Sequence, residues 1–288
     1  MALIVGSAAV ASGMSPLVEG ALYADDIFIN GSTYTDKYDI NDAGQVQVVK
    51  YANRGIQAPK TPGSNFTPED YANTVVSINC VNSYQADKKV PMYYEATMPV
   101  DVQASKLVQA TLDTVQDRQA GALACLLHEG TASSVTTAIS KSNIKEIILG
   151  ERATLRTKHA RPNVVLASIA TYNTMLAAAG TDYVPVYNDT VVRDGRVGRW
   201  MGMLWVETPW LGQDFTLKYN DGANLQSKDT DLVDFIMYDF GAFSIIDKLA
   251  IARIVDSELF AGSLVQVEID TGFKVTNADC VVVKSHAA

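Results

Sequence analysis

Residues 101–128 form the longest amphipathic segment of the chain and constrain its fold more than any other feature. Asp101 is placed to cap the start of a helix, and Gly130 is placed to end it. At about 1.5 Å per residue, the predicted helix is about 40 Å long, so the fold is built around a rigid rod. Apolar side chains recur at helical spacing on one face, namely Ala104, Val108, Leu112, Val115, Ala122 and Leu126.

Two strand-like runs precede this helix and predict a projecting hairpin. Residues 45–51 are rich in valine. In residues 74–81, Val76, Ile78 and Cys80 alternate with Val75, Ser77 and Asn79, which places the two sets on opposite faces of a strand. The intervening residues 52–70 have the glycine and proline content of turns and loops. Two strands alone are only marginally stable in water, so such an excursion needs support within the chain or on a neighbouring copy.

The remainder of the chain mixes helical and strand patterns, which predicts an α+β fold. We expect residues 217–228 to be polar and turn-rich, and residues 242–260 to mix strand and helix signals. The alternating C-terminal residues predict paired strands joined at Asp270-Thr271-Gly272. The other predicted elements are helix 144–157, strand 164–168, helix 170–179, strand 201–207, strand 233–238 and strand 281–283.

The first thirty residues predict an extended arm rather than a signal peptide. No Lys or Arg precedes Ala11, and Gly6 and Ser7 interrupt the apolar run. A secretory signal has a basic start and an uninterrupted apolar core. No stretch reaches the roughly 20 apolar residues of a membrane-spanning helix, so no membrane partner is expected.

The charge of the chain argues against nucleic-acid binding as its primary activity. Its formal net charge is -9 over 288 residues, and its Lys and Arg residues are not clustered. Tight binding to a phosphate backbone requires clustered cations that release counterions. The three cysteines, Cys80, Cys125 and Cys280, form no CxxC pair and are predicted to be structural thiols in a reducing compartment.

The sequence contains no motif that predicts an enzyme, a cofactor or a metal site. It lacks GxGxxG, GxxxxGK[ST], HExxH and GxSxG, and residues 195–202 lack the flanking strand and helix of a phosphate loop. None of the three histidines is within helical reach of another histidine or of a cysteine. The paired carboxylates at Asp25-Asp26 and near Asp229 show no contrast in environment of the kind that acid–base catalysis requires.

The order of parts is more specific than these motifs: an arm, a long hairpin, one very long helix, a mixed region and final strands. Residues 195–209 place two glycines before a short β-run that ends at Pro209. Residues 271–275 and 278–283 supply short closing strands. Together these features resemble the Hong Kong 97-type fold of tailed-bacteriophage major capsid proteins.

This resemblance implies a function and a division of the chain. It implies a structural protein, not an enzyme, that assembles as hexamers and pentamers into an icosahedral shell around a phage genome. The implied parts are an N-terminal arm (1–30), an E-loop (31–95), a peripheral domain (96–138 and 262–288, with its spine helix at about 101–128) and an axial domain (139–261).

The implied partners follow from the same resemblance. They are further copies of the chain, a portal protein and a scaffolding protein. Because no long segment precedes the E-loop candidate, the resemblance implies either that the scaffolding protein is separate or that mature chains need no cleavage. The shell would enclose double-stranded DNA without tight specific binding, belong to the virion capsid and assemble in the cytoplasm of a host bacterium.

Two sets of basic residues are candidates for contacts between subunits. We expect one set, at the hairpin tip and just after the hairpin, to contact acidic surface on a neighbour: Arg54, Lys60, Lys88 and Lys89. The second set recurs at three-residue spacing among glycines that favour a loop or strand: Arg193, Arg196 and Arg199. For both sets, a subunit contact and a solvated loop remain open.

Three other functions remain open at this stage. An encapsulin-like compartment shares the same fold and holds cargo protein in place of DNA. An α/β enzyme with an unrecognised site would show a defined pocket with perturbed titratable groups. A tail or baseplate component would form rings or tubes in place of closed shells.

Overall fold

A helix from Val102 to Glu129 runs through the structure and confirms the main prediction from the sequence. Its buried residues concentrate in the second half, where Leu123, Cys125 and Leu126 are inaccessible to solvent. The computed structural model describes residues 2–5, 27–28, 33–34, 45–51, 73–97, 102–179, 199–257 and 260–287.

Four helices and fifteen strands are found within the described residues. The helices are α1 (Met92–Thr97), α2 (Val102–Glu129), α3 (Ile144–Thr157) and α4 (Ile169–Ala179). The strands are β1 (Ala2–Val5), β2 (Thr33–Tyr34), β3 (Gln45–Tyr51), β4 (Asn73–Asn79), β5 (Asn82–Pro91), β6 (Thr131–Ala132), β7 (Val164–Ser168), β8 (Arg199–Trp200), β9 (Met203–Thr208), β10 (Thr216–Asn220), β11 (Leu225–Asp229), β12 (Val233–Tyr238), β13 (Phe243–Asp256), β14 (Gly262–Val275) and β15 (Val281–Ser285).

A five-stranded sheet supports the first half of α2. Its order is β1–β13–β14–β5, and β2 pairs in parallel with β13 on the same edge as β1. The face toward α2 is apolar, with Val90, Val265 and Val267 packed around Ala110 of the helix. Along β5 and β14 every second residue is the less exposed one, and the opposite face is mainly polar, as expected for an antiparallel sheet covered on one side.

A six-stranded sheet, in the order β6–β15–β12–β7–β9–β8, packs against the second half of α2. On one face, Leu166 and Ile236 of the sheet pack with Leu123 and Leu126 of the helix. The other face is covered by α3 and α4, whose apolar residues pack with Val165, Phe235 and Trp205. Strands β7 and β12 are therefore buried on both faces, which explains their nearly continuous apolar sequence.

Two small hairpins complete the described structure. Strands β3 and β4 pair antiparallel, as the sequence predicted, with Val46 opposite Ile78. The hairpin of β10 and β11 lies on α2, and its Leu217 and Tyr219 are buried there. The polar composition of residues 217–228 concealed this hairpin, because its two strands carry few apolar residues beyond the helix-facing Leu217 and Tyr219.

Three predicted element boundaries were wrong. Residues 242–260 hold one uninterrupted strand from Phe243 to Asp256. The predicted turn at Asp270-Thr271-Gly272 lies inside β14, where Thr271 pairs with both flanking strands and donates to the carbonyl of Ile246. Strand β9 begins at Met203 and not at Met201, because Met201 and Gly202 adopt positive φ and form a tight turn.

Candidate assembly surfaces

The carboxyl end of α2 is fixed to strand β14 through Glu129. Its Oε1 accepts a hydrogen bond from Lys274 Nζ at 2.6 Å, and its Oε2 accepts from the backbone N–H of Val275 at 2.9 Å. Glu129 is mostly buried, whereas Lys274 is about one-third exposed. These two contacts fix the end of the long helix on the five-stranded sheet.

Tyr219 brings the β10–β11 hairpin to the same helix end. Its hydroxyl lies 3.1 Å from His128 Nδ1 and donates to Glu129 Oε1 at 3.4 Å. Burial, reinforced by the neighbouring Cys125 and Glu129, raises the pKa of Tyr219 well above its ordinary range. Burial likewise raises the pKa of the Cys125 thiol. The phenol and the thiol therefore both stay protonated at neutral pH, which agrees with a structural role. The protonated thiol is a poor nucleophile.

A second charged contact fixes the middle of α2 to β13. Arg118 donates to Asp247 Oδ2 at 2.6 Å, and the arginine side chain is almost completely buried. Asp247 lies where the register between β13 and β14 shifts by one residue before Leu249. The ion pair thus fixes the helix at the one irregular point of that long strand pair.

The six-stranded sheet contains a buried ammonium at its edge. Lys284 Nζ donates to Asp234 Oδ2 at 3.1 Å and to the carbonyls of Thr137 and Ser285 at 2.9 and 3.0 Å. The Lys284 side chain is 0% exposed, and Asp234 also accepts from His286 at 2.8 Å. These bonds attach the segment that leaves α2 to the central strands of the sheet.

The five-stranded sheet presents a polar outer face, opposite α2. Glu268 Oε1 accepts from Ser83 Oγ at 3.1 Å and from Gln85 Nε2 at 2.7 Å, which links β5 to β14. Arg253 Nε donates to Gln266 at 2.7 Å and links β13 to β14. Four of these side chains line a shallow groove of about 330 Å³: Gln85, Arg253, Gln266 and Glu268. These hydrogen bonds connect the outer faces of β5, β13 and β14.

Apolar side chains are also exposed outside this face, and two of the places are on α1 and on the β10–β11 hairpin. On α1, Tyr93 is 71% exposed and packs edge-to-face on Tyr94, with ring centroids 5.8 Å apart, and Met92 beside them is also exposed. On the β10–β11 hairpin, Phe215 and Leu225 are exposed. Exposed aromatic clusters are uncommon on monomeric proteins and common at protein interfaces.

Two of the predicted contact residues, Lys88 and Lys89, lie in β5. Lys88 forms an ion pair with Asp113 of α2. The ammonium of Lys89 lies 5.9 Å from the ring centroid of Phe260, at the end of the sheet near α1. Lys88 therefore has an acidic partner within its own chain, and Lys89 is exposed beside the ring of Phe260.

The other predicted contact residues are placed only in part. Arg199 begins β8, and its side chain is outside the described structure. The remaining predicted residues lie outside the described residues altogether: Arg54, Lys60, Arg193 and Arg196.

The described residues show no metal-binding cluster of His, Cys, Asp and Glu. Two of the histidines have structural partners, since His128 contacts Tyr219 and His286 contacts Asp234. His159 follows α3 with a φ of 64°, in the left-handed region. No helix among the described residues is long and apolar enough to cross a membrane.

Comparison with known proteins identifies the fold by structure alone. No protein-family model matches the sequence, and no curated protein is similar to it. The capsid structure of the cyanophage P-SCSP1u has a TM-score of 0.63 at 10% identity, covering 84% of this chain and 83% of that one. A structure from Gordonia phage Cozz has a TM-score of 0.64 at 11% identity, with 91% and 87% covered. The mature capsid of bacteriophage PhiM1 has a TM-score of 0.58 at 13% identity, with 90% and 86% covered. The chain therefore has an α+β fold that is shared with phage capsid chains over most of its length.

The residues that join the parts of this fold were not identified from the sequence. Arg118, Asp247, Asp234 and Lys284 come from distant points of the chain and carry no local motif. An arginine inside an otherwise amphipathic helix was the one available signal, since a buried arginine requires a carboxylate partner.

Proposed function

We propose that this chain is a major capsid protein that assembles into the icosahedral shell of a tailed bacteriophage. The observation that carries the proposal is the fold, which matches phage capsid chains over more than four-fifths of both partners. A structural role also agrees with the charged pairs described above, which join elements of the fold. In this role the chain is not an enzyme and uses no cofactor.

The proposal divides the chain into an arm, an E-loop, a peripheral domain and an axial domain. The predicted boundaries change at three places to follow the sheets. Residues 243–256 pair along their length with β14 and go with the peripheral sheet. Residues 281–285 pair with β6 and β12 and go with the axial sheet. Strand β5, at the end of the predicted E-loop, also belongs to the peripheral sheet.

Assembly on this proposal depends on the β3–β4 hairpin of each copy lying across a neighbour. The root of the hairpin packs on its own chain through Val46 and Ile78, which contact Ile246. Farther along the hairpin, Val75 is exposed, so no apolar residue of the described chain covers the hairpin face that carries Val75. An adjacent copy can supply the cover, in line with the large interfaces of obligate assemblies.

The basic residues at the tip of this hairpin, Arg54 and Lys60, are proposed to contact carboxylates on the neighbouring copy. On α2, Asp113 and Asp117 lie one turn apart and repel each other. Burial, and then the charge of Asp113, raises the pKa of Asp117. Lys88 neutralises Asp113 within the chain, whereas Asp117 has no cation among the described residues. A cation from a neighbour at Asp117 would relieve the repulsion.

The further partners follow from the same proposal. Hexamers and pentamers of the chain would form the lattice, with a portal and a scaffolding protein, in the cytoplasm of a host bacterium. The formal net charge of -9 keeps affinity for the enclosed double-stranded DNA low, so packaged DNA can be released.

Negative-stain electron microscopy of the expressed protein, alone and with candidate scaffolding proteins, tests this function. Closed shells or capsomer rings are expected. A monodisperse monomer of 31.1 kDa under every condition would contradict the proposal. Shells that always carry one enzyme as cargo would favour a nanocompartment, and open tubes would favour a tail component.

A further inference from the structure

The chain between the β3–β4 hairpin and the peripheral sheet makes an abrupt transition. Strand β4 ends at Asn79, and β5 begins at Asn82 after only two intervening residues. The two strands belong to different sheets, so the direction of the hairpin is set within this short link. The contacts of the link therefore decide how the hairpin is presented to another copy.

Asn82 binds the backbone of the β10–β11 hairpin with both ends of its amide. Its Nδ2 donates to the carbonyl oxygen of Asn220 at 3.0 Å, and its Oδ1 accepts from the N–H of Asn220 at 2.8 Å. The side chain is buried, with 7% exposed. The amide thus replaces a missing strand partner at the end of β10, and losing it would leave two backbone groups unsatisfied.

The receiving turn is held in shape by its own hydrogen bonds. Asp221 Oδ1 accepts from the N–H groups of Ala223 and Asn224 at 2.8 and 2.7 Å. Asp221 Oδ2 accepts from Gln226 at 2.8 Å, and Asn220 Oδ1 accepts from the N–H of Gly222 at 2.9 Å. The turn therefore offers Asn82 a fixed partner.

Close packing against two glycines fixes the other side of the link. A Cβ on Gly272 would lie 2.7 Å from the carbonyl oxygen of Asn79, so the chain crosses β14 where only glycine fits. A Cβ on Gly222 would lie 2.5 Å from Asn79 Nδ2, and Gly222 has a φ of 99°. The link is thus held between β14 and the β10–β11 turn.

We propose that Asn82 is a positioning residue that clamps the root of the β3–β4 hairpin onto the β10–β11 turn, so that each copy presents the hairpin in a fixed direction before assembly. The clamp is a property of the single chain. Its consequence for assembly rests on the proposed function, because a preset hairpin loses less conformational freedom when it docks on a neighbour.

Hydrogen exchange of the full-length protein, below the concentration at which it assembles, tests the clamp directly. In Asn82→Ala, amides of residues 73–79 and 216–229 are expected to exchange on the order of tenfold faster, because two hydrogen bonds are lost. Exchange in α3 and β7 is expected to stay unchanged. Unchanged exchange of residues 73–79 would overturn the proposal, since the apolar packing of the hairpin on Ile246 and the close contacts of Asn79 would then be enough to hold it.

Asn143→Ala is the matched control, because Asn143 also bonds the backbone with both ends of its amide. Its Nδ2 donates to Ala138 at 2.9 Å, and its Oδ1 accepts from Ser140 at 2.7 Å. Faster exchange is expected only near α3. If Asn82→Ala fails to fold, Gly222→Ala loosens the link from the opposite side and should speed exchange of residues 73–79, whereas unchanged exchange there would contradict the clamp.

Assembly is scored separately by electron microscopy, so that the two proposals can fail independently. Faster exchange in Asn82→Ala, with no shells from the wild-type chain, would support the clamp and contradict the proposed function. Shells from the wild-type chain, with unchanged exchange in Asn82→Ala, would support the proposed function and contradict the clamp. Where both hold, the variant is expected to assemble at least several-fold more slowly than Asn143→Ala.

Discussion

The phenol of Tyr84, on β5, lies against Gly121 in the middle of α2. A Cβ on Gly121 would overlap the phenol oxygen and would lie 2.9 Å from the ring carbon that carries it. The oxygen itself is buried and has no hydrogen-bond partner among the described residues. The sheet and the helix therefore approach each other at a point where one residue has no side chain and the other has an unsatisfied hydroxyl.

Two opposite changes in stability follow from this contact. Gly121→Ala is expected to lower the free energy of unfolding by about 1–3 kcal/mol through overpacking. Tyr84→Phe is expected to leave the free energy of unfolding unchanged or to raise it by up to about 1 kcal/mol, since it removes an unpaired buried hydroxyl. Urea denaturation of the two variants and of the double variant measures both effects. The double variant should recover part of the loss, and strict additivity would contradict the contact.

The ionisation of Tyr84 and Tyr219 predicts how the fold responds to alkaline pH. Burial raises the pKa of both phenols above the ordinary tyrosine value of 10.0. Above about pH 10 the two phenols lose their protons in the unfolded chain but keep them in the folded chain. The free energy of unfolding therefore has its full value below about pH 10 and falls as the pH rises further. We expect the unfolding free energy to fall less steeply above pH 10 in Tyr84→Phe. The exposed Tyr93→Phe serves as control, and equal slopes in the two variants would be inconsistent with the prediction.

Removal of either partner of the Lys284–Asp234 pair is expected to have unequal effects. Asp234→Ala leaves an ammonium that is 0% exposed with only carbonyl oxygens as partners, which costs about 3–5 kcal/mol. Lys284→Met leaves a carboxylate that still bonds His286, so a smaller loss is expected. Thermal and urea unfolding of the two variants give the comparison. A larger loss in Lys284→Met would contradict this order and show that the stranded carboxylate of Asp234 costs more than the stranded ammonium of Lys284.

Charge reversal at the hairpin tip tests the proposed contact between copies. Arg54→Glu combined with Lys60→Glu is expected to slow assembly by tenfold or more, on the order of 1.4 kcal/mol, because two attractive contacts become repulsive. Adding Asp117→Lys should restore part of the rate if Asp117 is the acceptor. Light scattering and electron microscopy follow assembly, and Lys141→Glu, at an exposed lysine beside α3, is the control. Equal assembly by the tip variant and the control would remove the tip from the interface.

Local patterns in the sequence were enough to predict α2, α3, α4, β3, β7 and β12, nearly to the residue. Each of these elements buries a continuous stripe or a whole strand, so its periodicity is visible without knowledge of its neighbours. The pairing of β3 with β4 was predicted for the same reason. The resemblance to capsid proteins rested on the order of these elements, and the shared fold confirms it.

Tertiary structure decided what the local pattern could not. Asp270-Thr271-Gly272 has the composition of a turn, yet it is strand because β13 and β5 pair with it on either side. Strands β10 and β11 carry few apolar residues, yet they form a hairpin because Leu217 and Tyr219 find cover on α2. The charged and amide contacts of Arg118 and Asn82 join residues more than a hundred positions apart. Their partners exist only once the chain has folded, because the energy of a buried polar group depends on the group opposite it and not on its own sequence neighbours.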